Sequence, residues 1–169
     1  MRTPQGWFAL LSVGLVGCAN SALATDISGN IATTLTITES SRLVGNVTCT
    51  VSGAPCIVIA SPGVTLDLNG FTMTGLGDPL TGCASGATPS EAGILVNAIN
   101  NVIIRGLGIV QQFRNFGLQL LNSTGTTVTG ITASTNCNSG IIVTGGSGNL
   151  LEQNISIRNG SPAAACGGI

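Results

Sequence analysis

The chain has 169 residues, of which 43% are hydrophobic, 3% aromatic and 7% charged, with 25 glycines and a formal net charge of −1. It carries no lysine, no histidine and five arginines, so no basic patch is present to neutralise phosphates, which argues against nucleic-acid binding. The missing histidine also removes the usual general base and the commonest metal ligand, and with it Ser/His/Asp and Cys/His nucleophile systems.

Residues 1–24 read as a secretory signal peptide. Arg2 supplies the positive start, Trp7 to Val16 an apolar stretch too short for a membrane span, and Ala22-Leu23-Ala24 a small-residue cleavage pattern. Within the same segment Leu15-Val16-Gly17-Cys18 has the form of a bacterial lipobox, so two readings stay open: an ordinary secreted protein, or one lipid-anchored at Cys18. Either places residues 25–169, read as one domain, outside the cytoplasm or in the cell envelope of a bacterium, with no transmembrane span.

In such an oxidising compartment the remaining cysteines read as disulfide partners. Cys49 and Cys56 enclose a short turn and are the easiest pair to join. Cys137 and Cys166 both precede a Gly-Ile step and would fall on adjacent repeats, leaving Cys83 over; Cys83 with Cys137 is the alternative. A metal site is disfavoured, since no Cys-x-x-Cys occurs.

From residue 63 the pattern is strand, bend, strand: Gly-Val-Thr-Leu-Asp-Leu-Asn-Gly-Phe-Thr-Met-Thr-Gly. Similar units follow from Asn101 and Val128, and a glycine followed by apolar alternation returns at Gly93-Ile94, Gly117-Leu118, Gly140-Ile141 and Gly168-Ile169. A period of about two dozen residues marks stacked repeats, each burying its apolar face on its neighbours. The expected bend positions are Gly70, Gly106, Gly130 and Asn154, residue types that accept positive φ. The columns Phe71, Leu107, Ile131, Ile155 and Met73, Ile109, Ala133, Ile157 are spaced 36, 24 and 24 residues, so an inserted loop is expected over 75–91. In the last repeat Glu152 falls where earlier repeats are apolar, and a one-residue slip that buries Leu151 instead avoids a costly buried carboxylate.

The run at 63–75, preceded by Cys49, Cys56 and Ile57-Val58-Ile59 and followed by Gly-Ile repeats, resembles the N-terminal part of exported bacterial right-handed parallel β-helix repeat proteins of the pectate-lyase-like superfamily. The resemblance covers about residues 40–169. It implies an all-β, single-stranded solenoid of about four to five coils with an uncapped C-terminal end, and contact with polysaccharide. An open sheet edge there would invite pairing with another chain, and the open end also suggests that the sequence is the N-terminal piece of a longer protein.

Related proteins with catalytic activity place carboxylates and basic residues on one outer sheet face. Here the corresponding outward column is Leu95, Gln119 and Ile142, beside Asn97, Leu121 and Thr144, with no carboxylate and no arginine. Asp67 beside Asn69 reads as turn decoration, and Arg105 and Arg158 as corner charges that would suit an acidic sugar. The expectation is therefore a secreted or envelope-associated scaffold that contacts carbohydrate, without catalytic residues, cofactor or metal. The alternative is the N-terminal portion of a polysaccharide lyase or glycoside hydrolase with its catalytic residues beyond Ile169.

Overall fold

The computed structural model describes residues 24–80, 83 and 91–160, and every regular element among them is a β-strand. The segment read as a signal peptide, Cys18, Cys166 and the Gly168-Ile169 step lie outside the described residues. In chain order the strands are β1 (Thr25–Ile31), β2 (Leu35–Ile37), β3 (Ser41–Cys49), β4 (Ile57–Ile59), β5 (Thr65–Asp67), β6 (Thr72–Thr74), β7 (Ala92–Asn97) and β8 (Ile103–Arg105). They continue as β9 (Ile109–Gln111), β10 (Phe116–Leu121), β11 (Thr127–Thr129), β12 (Thr132–Ser134), β13 (Ile141–Thr144), β14 (Leu150–Glu152) and β15 (Ile155–Ile157).

The strands form two sheets with parallel pairing throughout. One has five strands in the order β13-β10-β7-β4-β2; the other has ten, in the order β14-β11-β8-β5-β3-β6-β9-β12-β15 with β1 added on β3. This corrects the expected single-stranded right-handed β-helix solenoid of four to five coils. The cause lies in β3, an unbroken nine-residue strand. Its first part pairs with β5 through Ser41 and Arg42, and its second part pairs with β6 through Val47 and Thr48. Two ladders that the bends keep apart later in the chain are thereby joined into one sheet that curls about β3. Gly45, in the middle of β3, is not among the residues at positive φ, so the strand runs through where later repeats turn.

Side chains alternate between core and outer face, as the two-residue period of a strand requires. Ile94, Leu118 and Ile141 lie opposite one another and are fully buried, as are Leu66, Ile104 and Val128. Each such side chain contributes about 1.5–3 kcal/mol by leaving water. Leu151 sits opposite Val128 and Glu152 opposite Thr129, with Glu152 exposed, so the slip keeps the carboxylate out of the core. The other columns shift by one position. Met73 pairs with Val110, Val110 with Ala133, and Ala133 with Ser156, because Gly108 rather than Leu107 occupies the inward step after the bend.

The repeated glycines serve close approach rather than backbone freedom. Gly93, Gly117 and Gly140 are absent from the positive-φ residues, yet each is buried. A methyl at Gly93 would lie 2.6 Å from the Gly117 carbonyl oxygen, and one at Gly117 would lie 2.6 Å from that of Gly140. Successive repeats thus meet backbone to backbone at this corner, which only glycine permits.

Candidate functional site

The bends place the outer-face side chains. Gly70, Gly106 and Gly130 have φ of 80°, 96° and 71°, the left-handed conformation that glycine adopts at no steric cost. Asn154 does not: the positive φ in that repeat falls on Gln153, at 55°. Asn154 acts through its side chain, accepting from the Ile131 N–H at 2.9 Å and donating to the Val128 carbonyl at 2.8 Å. The same two-handed clamp recurs. Asn136 holds Phe113 N–H and Val110 C=O, Asn149 holds Thr126 N–H and Ser123 C=O, and Asn159 holds Asn136 N–H and Ala133 C=O. Each asparagine satisfies backbone groups that a bend removes from the ladders. The signal was available as asparagines that return 23 residues apart, as at 136 and 159.

The structure bonds Cys49 to Cys56 and Cys83 to Cys137. This corrects the expected Cys137–Cys166 pairing. Periodicity aligned Cys137 with Cys166 but said nothing of where Cys83 falls, and Gly75, Gly77 and Cys83 meet the corner that holds Cys137. There Gly75 and Gly77 donate to the carbonyls of Gln111 and Gln112, and Cys137 N–H donates to Phe113 C=O. Two disulfides fit a protein of an extracellular or periplasmic compartment.

At the same corner Glu91 and Arg114 form a forked ion pair, Nε to Oε2 at 2.6 Å and a terminal nitrogen to Oε1 at 2.7 Å. Arg114 also donates to Ser52 Oγ at 2.8 Å, and Gly53 N–H donates to Glu91. Glu91 is buried and the space beside the pair is only about 10 Å³, too little for a ligand. This arrangement ties the Cys49–Cys56 turn to the insertion.

The outer face of the five-stranded sheet carries Leu95, Gln119 and Ile142 in register, beside Asn97, Leu121 and Thr144. Charge gathers instead on the first half of the curled sheet. Asp26 on β1 lies opposite Arg42 on β3, Arg42 opposite Asp67 on β5, and Asp67 opposite Arg105 on β8. The result is a ladder of alternating sign across four adjacent strands. Arg42 Nε donates to Asp26 Oδ1 at 2.8 Å, and Arg105 Nε donates to Asp67 Oδ2 at 2.9 Å. The hydrogen bond that Arg42 donates to Asp26, and then the Asp26 charge, raise the Arg42 guanidinium above its ordinary value. A raised value means that this contribution is present through the ordinary pH range and is lost only as pH climbs past the arginine's own titration.

The second oxygen of Asp67 accepts the Asn69 N–H at 2.9 Å, and the Asn69 amide donates to Leu43 C=O at 3.1 Å. Asp67 therefore decorates its turn and also anchors Arg105. Arg158, at φ 54°, is exposed beyond β15 and stands apart from the ladder. A groove of about 430 Å³ lies over the last three members of the ladder, walled by Ser40, Arg42, Thr65, Asp67, Asn69 and Arg105. Asp26 and Asp67 share a column two strands apart, about 9.5 Å at the usual strand spacing. Each is committed to a guanidinium, and Arg42 stands between them. Sequence reading missed this ladder because β1 and β3 precede the first recognisable repeat, although Asp67 and Arg105 hold equivalent places after Leu66 and Ile104.

Among the described residues no three His, Cys, Asp or Glu side chains gather as metal ligands, and no helix is long and apolar enough to cross a membrane. No family model, curated protein or solved structure matches the chain.

Proposed function

We propose that this protein is an exported, envelope-associated bacterial scaffold that holds a polysaccharide in the groove over Arg42, Asp67 and Arg105. The observation that carries this reading is the groove itself, about 430 Å³ of concave surface with hydroxyl, amide, carboxylate and guanidinium groups along its walls. Sugars present donors and acceptors at close spacing, and a wall of Ser40, Thr65 and Asn69 between charged residues offers partners of both kinds. The groove has no aromatic wall, so binding would rest on hydrogen bonds and charge rather than stacking, and would weaken with salt.

The test is retention of the full chain on immobilised polysaccharides, with cleavage products assayed in parallel and calcium present. Retention without cleavage, lost in Arg105→Ala and Asn69→Ala, is the expected outcome. Calcium-dependent cleavage would instead identify a polysaccharide lyase, and retention unchanged in both variants would place the ligand elsewhere.

A further inference from the structure

The charge ladder has a symmetry of its own. Reading from β1 to β8 the signs run minus, plus, minus, plus, and from β8 to β1 they run plus, minus, plus, minus. A two-fold axis parallel to the strands and midway between β3 and β5 would lay this face on an identical one with the strand order reversed. Asp26 would then face Arg105 of a second copy and Arg42 would face Asp67, so that all members meet opposite charges. An in-plane axis running across the strands would instead set each residue against itself. Alternation along an even number of strands therefore selects one docking of the two face-to-face arrangements.

We infer that this face is a two-fold interface between two copies of the chain. Three of the four side chains are open to a second partner, and Asp67, at 28% exposure, is the most enclosed. Asp26, Arg42 and Arg105 are about half exposed, at 52%, 54% and 56%, and both arginines make their internal ion pair through Nε. A guanidinium carries five N–H donors, so a pair made through Nε leaves terminal N–H groups able to meet a second carboxylate. Apolar surface lies on the same face: Val44 follows Arg42 by one outward step, and Ile103 precedes Arg105 by one. Charges give the register and these side chains give area to bury.

Four strands at about 4.8 Å each make a face roughly 20 Å wide, which buries less per copy than the ~800 Å² of a stable interface. The dimer is accordingly weak, concentration-dependent and sensitive to salt. The inference does not rest on a polysaccharide being the ligand. A ligand in the groove and a second copy would compete for one surface.

Sedimentation velocity of the full chain, with both disulfides formed, tests it. At low salt and rising concentration the sedimenting mass is expected to double, and to return to monomer at high salt. Two charge-reversed variants complete the experiment: Asp26→Arg/Asp67→Arg, all positive along the ladder, and Arg42→Asp/Arg105→Asp, all negative. Each alone is expected to be monomeric, and their equimolar mixture dimeric. A wild type that stays monomeric at low salt, or a dimer that persists in either variant alone, would overturn the inference. Should a reversed variant fail to fold, Asp26→Asn and Arg105→Gln at the ladder's ends replace it; both must weaken the dimer at least several-fold, and an unchanged dimer in either overturns the proposal.

Discussion

Arg114 holds Glu91 through a fork in which one nitrogen meets each carboxylate oxygen, at 2.6 and 2.7 Å, and this pair joins three stretches of chain that are distant in sequence. Through Ser52 and Gly53 it reaches the disulfide turn after β3; Glu91 ends the insertion, and Arg114 precedes β10.

Removing one member of this pair leaves the other charge buried without its partner. Arg114→Ala is expected to cost about 3–5 kcal/mol in urea unfolding, because Glu91 side-chain exposure is only 5%. Replacing both, as Glu91→Gln with Arg114→Met, is expected to recover most of that loss, since desolvation of two charges offsets much of their attraction. A single substitution that moves stability by less than about 0.5 kcal/mol would show that the pair is not closed in solution.

The Cys83–Cys137 bond spans 54 residues, against 7 for Cys49–Cys56, so it restricts the unfolded chain more. On the chain-entropy relation the longer loop contributes about 4 kcal/mol and the shorter about 2 kcal/mol. Cys83→Ser is thus expected to destabilise more than Cys49→Ser. Non-reducing proteolysis and mass spectrometry should return a peptide that joins Cys83 to Cys137. A Cys137–Cys166 peptide in its place would detach the insertion from the corner.

The repeat was legible in the sequence because its physical requirements fall on residue types. Gly93, Gly117 and Gly140 return where backbones touch, and Ile94, Leu118 and Ile141 return where side chains are buried. The division into two sheets was not legible. It depends on β3 staying extended through Gly45, and a glycine in sequence does not say whether it turns or runs on. The bend at Asn154 misled for a related reason: asparagine accepts positive φ, but here its amide spans two backbone groups of the preceding repeat while Gln153 takes the turn. The charge ladder requires the register of β1 on β3, and that pairing carries a bulge between Ile27 and Gly29 that no fixed period anticipates.

The contact between Gly117 and Asn136 offers a sharper test of how the repeats pack. A methyl at Gly117 would lie 2.7 Å from the Asn136 amide nitrogen and 2.6 Å from the Gly140 carbonyl oxygen. Asn136 is fully buried, and its side chain accepts from Phe113 N–H at 3.0 Å and donates to Val110 C=O at 3.2 Å and to Asn159 at 2.9 Å. Gly117→Ala is expected to cost about 1–3 kcal/mol from overpacking. Asn136→Ala is expected to cost a similar amount, about 1–3 kcal/mol, by leaving buried backbone groups unbonded. The double variant separates two accounts of the glycine. If the side-chain contact dominates, removing Asn136 makes room for the methyl and the two losses fall well short of adding. If the carbonyl dominates, the losses add. The Gly140 carbonyl is fixed in a parallel ladder, where it accepts the Leu118 N–H at 2.9 Å, and it has no rotamer through which to yield. Near-additive losses in urea unfolding are the expected result, and a double variant more stable than Gly117→Ala alone would assign the glycine to the asparagine.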